Sequence, residues 1–191
     1  IYENKIISLT SDGYAVALNA ETGSVEWETQ ISDYQSAPTW QTAGPTVING
    51  KILSGRSCDP KAGPTGCFIA AHDVDTGEEL WRTFLIPRPG EPGDETWGNI
   101  PYESRWHVGS WGTPSYDPEL NLAYFGTSVT SPAPKWVMGA ENQDMDALYQ
   151  TSTLAVNIDT GEIKWYQQHI RDQWDLDHPF ERILVDTAIA P

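Results

Sequence analysis

Residues 14–27 read YAVALNAETGSVEW, residues 68–81 read FIAAHDVDTGEELW and residues 153–165 read TLAVNIDTGEIKW. One pattern runs through all three: an apolar alternating run, an Asn or Asp, two more residues, Thr-Gly, three residues and a Trp. Alternation of apolar and polar residues is the mark of a half-buried strand. The Gly after each Thr stands where a tight turn needs a positive φ. Each unit therefore reads as a hairpin. The turns fall at Ala20–Gly23, Asp73–Gly77 and Asp159–Gly161, and the second strands close on Trp27, Trp81 and Trp165.

Further strands are predicted over Lys5–Leu9, Pro45–Ser54 and Asn121–Thr127, the last after a Tyr116-Asp117-Pro118 turn. Four short antiparallel strands per repeated unit point to an all-β fold, a β-propeller rather than a sandwich. The closing tryptophans are spaced more widely than the roughly 40–50 residues of one blade, so segments are inserted between units. A propeller commonly closes with four to eight blades. The 191 residues therefore predict a partial propeller domain over 1–191, about three to four blades, cut from a longer one. The stretch Ile86–Glu103 holds four Pro and three Gly and predicts an ordered surface loop.

Eleven basic against 27 acidic residues give a net charge of −16 with histidines neutral. That balance argues against a nucleic-acid partner, whose phosphates demand clustered Lys and Arg. Nine Trp, eight Tyr and four Phe argue against disorder. No apolar run approaches the roughly 20 residues of a membrane helix. No signal peptide is visible, and the chain opens at Ile1. Cys58 and Cys67 lie in the Pro/Gly-rich stretch SCDPKAGPTGC, which leaves open a disulfide or two free thiols. His72, His107, His169 and His178 show no metal-ligand spacing.

The closing Trp of each repeat resembles the tryptophan-docking motif of the quinoprotein alcohol dehydrogenases that use pyrroloquinoline quinone (PQQ). The resemblance extends along the chain through TAGPTVINGKILSGRS (42–57), AAHDVDTGEELWR (70–82), VGSWGTPSYDPELNLAYFGTS (108–128), STLAVNIDTGEIKWYQQH (152–169) and RDQWDLDHPFE (171–181). It implies an eight-bladed propeller with PQQ on its axis and a calcium or lanthanide ion beside the quinone. It also implies oxidation of an alcohol to an aldehyde or ketone by hydride transfer, a periplasmic location, and delivery of electrons to cytochrome c or another acceptor.

The resemblance also implies roles for particular residues. Asp175, in Gln173-Trp174-Asp175-Leu176-Asp177, matches the general base and metal ligand, with Asp172 three residues before it. Asp177 resembles the extra carboxylate of lanthanide-dependent members, since a trivalent ion gains more from another hard anionic oxygen than calcium does. Trp111 matches the floor beneath the quinone ring, where a flat heterocycle wants an indole face. Thr42 and Ser57 match positions that hydrogen-bond the quinone carboxylates.

Two departures stand out. The metal-binding Asn of the family falls at Val129 here, in Gly126-Thr127-Ser128-Val129, and valine cannot ligate. The family's metal-binding Glu after Ser57 is replaced by Cys58-Asp59-Pro60. Either the shell is rebuilt from Asp59, Ser128 or Thr130, or metal affinity is reduced. The alternative is a non-catalytic propeller that serves as a scaffold for protein binding, and the valine is the feature that favours it.

Overall fold

The computed structural model describes residues 1–131, 135–142, 144–171 and 174–187. Three antiparallel sheets follow one another along these residues. The first comprises β1 (Lys5–Leu9), β2 (Tyr14–Asn19) and β3 (Val25–Gln30) in that order. The second comprises β4 (Thr39–Trp40), β5 (Thr46–Ile48), β6 (Lys51–Cys58), β7 (Phe68–Asp73) and β8 (Glu79–Phe84). Its order is β4-β6-β7-β8, with β5 also paired to β6. The third runs β9-β10-β11-β12 and comprises β9 (Ser115–Asp117), β10 (Leu122–Gly126), β11 (Ser152–Asn157) and β12 (Ile163–Gln168).

The repeated hairpin forms for a local reason. In each turn a side-chain oxygen, Oδ1 of Asn19, Asp73 or Asn157, accepts hydrogen bonds from two backbone N–H groups and from the Thr hydroxyl three residues on. The following Gly23, Gly77 and Gly161 all have φ of 74°, a region that costs other residues about 1–2 kcal/mol. Each hairpin carries a register shift at the same place, between Ala17 and Leu18, Ala71 and His72, and Ala155 and Val156.

The closing tryptophan then joins one sheet to the next. Trp27 Nε1 donates to the Val74 carbonyl at 3.1 Å, and Trp81 Nε1 donates to the Ile158 carbonyl at 2.9 Å. Each acceptor is the residue after the turn's Asx. Gly161 also has no room for a side chain, because a Cβ would lie 2.6 Å from the Trp81 ring. The turn thus needs Gly both for its φ and for the indole that packs on it.

The structure refines three expectations. Pro45–Ser54 is a hairpin of β5 and β6 turning at Asn49-Gly50, not one strand. Cys58 and Cys67 are disulfide-bonded. Ile86–Glu103 is an ordered loop, exposed along much of its length as predicted, but Ile86, Trp97 and Ile100 anchor it in the main core. Two short 3-10 turns, Asp94–Trp97 and Tyr102–Ser104, order it. Trp97 Nε1 donates to the Leu148 carbonyl at 2.6 Å, and Arg105 pairs with Asp94 at 2.5 Å. The excess Trp-to-Trp spacing is therefore spent on two insertions that pack against each other over the joint between sheets 2 and 3.

Candidate active site

Three of the candidate residues meet around Gly109–Trp111, on the segment leading into β9. The Trp111 carbonyl accepts from the Ala43 N–H at 3.2 Å and, weakly, from the Thr42 hydroxyl at 3.4 Å. Ser57 lies against Gly109, where a Cβ would overlap its hydroxyl. Ser57 and Ser110 are buried, and neither hydroxyl has a hydrogen-bond partner. Buried hydroxyls are nearly always satisfied. Two orphans on the segment that leads to Trp111 and on the strand packed against it mark a place that a polar ligand would complete. The residues present therefore fit a quinone bearing carboxylates.

The second element is the segment 174–184, which crosses the end of β10. The His178 N–H donates to the Thr127 carbonyl at 3.1 Å, and Asp177 Oδ1 accepts from the Val129 N–H at 2.8 Å. Close approach requires glycine on the blade side. A Cβ on Gly112 would overlap the Pro179 carbonyl oxygen, and one on Gly126 would overlap that of His178. The Phe180 ring meets the Trp111 ring edge-to-face at 5.9 Å. The strand ends thus bring the acidic segment and the candidate quinone floor into contact through Phe180. Asp175 is exposed and has φ of 64°, an unfavourable conformation for a residue with a side chain. Asp172 and Gln173 lie outside the described residues.

Arg182 ties the segment down. Its guanidinium donates to the Thr153 hydroxyl at 2.8 and 3.0 Å and to the His178 carbonyl at 2.8 Å. Its backbone N–H donates to Ser115 Oγ at 2.8 Å. The His178 ring stacks on His169 at 4.6 Å. Burial, then the neighbouring His178 and Arg182, push the His169 pKa down, so its neutral form is favoured in this cluster. The quoted motif contains Arg182's neighbours but offers no signal for its role, because Thr153 stands 29 positions away. Ser110 was legible in principle, since it directly precedes Trp111.

The metal shell is another matter. Asp59 caps its own loop, with Oδ1 accepting from the Lys61 and Ala62 N–H groups at 2.8 and 3.0 Å. The Ser128 hydroxyl serves His107 and Gly109 backbone groups, and the Thr130 hydroxyl donates to the Trp106 carbonyl at 3.2 Å. Val129 is buried and gives Asp177 only its N–H. Among the described residues no three His, Cys, Asp or Glu side chains come together in a way that could hold a metal ion. These residues by themselves do not assemble a metal centre.

A family model for the β-propeller domain of PQQ-type glucose, ethanol and alcohol dehydrogenases matches residues 2–190. Quinohemoprotein alcohol dehydrogenase ADH IIB of Pseudomonas putida is 34% identical over 99% of this chain and 28% of its own length. Lanthanide-dependent methanol dehydrogenase of Methylacidiphilum fumariolicum is 32% identical over 97% of this chain and 32% of its own length. The crystal structure of quinohemoprotein alcohol dehydrogenase from Comamonas testosteroni superimposes with a TM-score of 0.85 at 30% identity, covering 100% of this chain and 30% of that one. The chain thus spans about a third of the length of the relatives it matches.

Proposed function

Because this chain belongs to the β-propeller family of PQQ-dependent alcohol dehydrogenases, we propose that its residues form one side of a quinone site in an enzyme that oxidises an alcohol to an aldehyde or ketone. The observation that carries the reading is the pair of buried, unpartnered hydroxyls of Ser57 and Ser110 beside Trp111. When bound, the quinone supplies a two-electron acceptor for the substrate's hydride. Trp111 supports the ring face, and Ser57 and Thr42 offer donors to its carboxylates. Asp175 takes the hydroxyl proton onto a carboxylate oxygen as general base, because an alcohol does not release that proton unaided at neutral pH. Phe180 packs edge-to-face on Trp111, and Arg182 holds the segment that presents Asp175.

The calcium or lanthanide ion of the family would find Asp175 and Asp177 here, and among the described residues no cluster of three His, Cys, Asp or Glu side chains completes its shell. The net charge of −16 suits steering of a basic electron acceptor such as a cytochrome c. The Cys58–Cys67 disulfide suits an oxidising compartment such as the periplasm. No helix among the described residues is long and apolar enough to cross a membrane.

Val129, where the family carries a metal-binding Asn, is the feature that favours the second reading, a propeller that binds proteins and carries no quinone. Reconstitution separates the two. The polypeptide carrying this chain is mixed with PQQ and calcium or lanthanum, then assayed for bound-quinone absorbance and dye-linked alcohol oxidation. Trp111→Ala is expected to lose quinone binding, and Asp175→Asn to keep it while losing oxidation. A folded protein that retains no quinone with either metal sinks the enzymatic reading.

A further inference from the structure

The joint between sheets 1 and 2 holds a polar cluster that the quinone chemistry does not use. Phe68 and Ala70 of β7 pack there against Ala15 and Ile31. Their cross-strand partners on β6 are Arg56 and Ser54, and His72 continues the same row opposite Ile52. Directly opposed residues share a face of a sheet, so Ser54, Arg56 and His72 look toward sheet 1. All three are buried, Arg56 completely, at 0% exposure.

None of Ser54 Oγ, Arg56 Nε, Arg56 Nη2 or either His72 ring nitrogen has a hydrogen-bond partner. Glu79 approaches His72 Nε2 to 3.6 Å, yet its carboxylate is engaged by Arg82 at 2.5 Å. Arg82 adds a second positive charge to the layer, with its guanidinium 3.9 Å above the Phe68 ring. Burial, helped by Arg82, pushes the Arg56 pKa down to about 10, which still leaves it protonated at neutral pH. A buried cation without a counter-charge is strongly disfavoured, and water would satisfy its N–H groups without neutralising it. The two unpartnered groups of Arg56 form the edge of the guanidinium whose N–H bonds run parallel. That edge matches the two oxygens of a carboxylate.

We propose that Arg56 holds a carboxylate on its Nε–Nη2 edge, with Ser54 and His72 as flanking polar groups, making a buried anion site between the first two sheets. The carboxylate comes either from a small free acid or from an Asp or Glu side chain on polypeptide outside these residues. The site is independent of the quinone reading, since it faces the opposite side of β6 from Ser57.

Acetate is the probe. Thermal unfolding of this chain is followed as sodium acetate replaces sodium fluoride at constant ionic strength, for the parent and for Arg56→Met and Arg56→Lys, alongside NMR of the arginine Nε–H groups. For a free acid, the parent Tm rises saturably, and the resonance missing from Arg56→Met moves with the same midpoint. Arg56→Lys, which keeps the charge but loses the fork, responds less, and Arg56→Met does not respond. For a side-chain carboxylate, the longer polypeptide is indifferent to acetate, its Arg56 resonance already sits at the bound position, and Arg56→Met lowers its Tm. The proposal is overturned if acetate moves neither resonance nor Tm and Arg56→Met is as stable as the parent or more so in both proteins. It is overturned equally if acetate raises the Tm of parent and Arg56→Met alike.

Discussion

The two joints between sheets are built on the same turn and filled in opposite ways. At both, a tryptophan donates to a carbonyl in the next turn, Trp27 to Val74 and Trp81 to Ile158. Between sheets 2 and 3 the space behind that bond is the main core, where Leu53, Ile69, Phe125 and Leu154 meet under two packed insertions. Between sheets 1 and 2 the buried apolar cluster among the described residues is Ala15, Ile31, Phe68 and Ala70, with Leu9, Trp27 and Phe84 against it, and the neighbouring positions are Ser54, Arg56 and His72. The repeat therefore dictates how sheets are joined, and the alternate positions of β6 and β7 dictate what the joint contains. One strand, β6, presents apolar Leu53 and the candidate Ser57 to one neighbour and a charged row to the other.

The largest expected difference between the joints is in their tryptophans. Trp81→Ala is expected to cost about 3–5 kcal/mol, the range for large core truncations. Trp27→Ala, whose ring is only half-buried, should cost roughly half as much. Urea unfolding with unchanged m-values measures both, and equal losses would break the contrast. Next, replacing Cys58 and Cys67 together by Ala should remove about 2–3 kcal/mol, the loop-closure value for a nine-residue separation. The same unfolding assay reads it, and a negligible loss would mean that the main core holds that loop unaided.

The turn glycines sharpen the comparison further. Gly23 and Gly161 share the same φ, but only Gly161 has an indole on it, whereas nothing lies within 4 Å of a Cβ at Gly23. Gly23→Ala should cost about 1 kcal/mol and Gly161→Ala about 2 kcal/mol, because the second adds overlap to strain. Melting temperatures of the two variants give the order.

The smallest effect is a pH dependence. Asp73 alone among the three turn residues is ionisable. The Thr76 N–H bond, with those from Asp75 and the Thr76 hydroxyl, holds its pKa below the ordinary value. A depressed carboxylate stabilises the fold above its unfolded pKa of about 3.9 and loses that contribution as pH falls through the folded value. Asp73→Asn should therefore show a gap to the parent that is present at neutral pH and narrows below about pH 4. Acid titration of Tm checks it, and a gap that stays constant down to pH 2 would contradict it.

How much of the site could be read in advance depended on distance along the chain. Trp111, Thr42 and Ser57 are candidates by motif, and the structure places them around Gly109–Trp111. Asp59 is near Ser57 in sequence, yet its carboxylate closes its own loop, which is the commonest task for an Asp followed by Pro and Gly residues. Arg182, Ser110 and the stacked histidines were missed because their partners come from other strands. The Pro-rich insertion is irregular and largely exposed, as its composition predicts, but composition does not say which side chains, such as Trp97, turn inward.

The chain's own order of residues determined the hairpins, their turns and the tryptophans that close them. Those features rest on hydrogen bonds spanning two to four residues and on an alternation that any half-buried strand must obey. Tertiary structure alone decided that Asp177 meets the Val129 N–H 48 residues away, that the Ser57 and Ser110 hydroxyls are buried without partners, and that Arg56 is buried between sheets. A strand's pattern says that a side chain faces one side or the other. What waits on that side is set by chain brought in from far along the sequence.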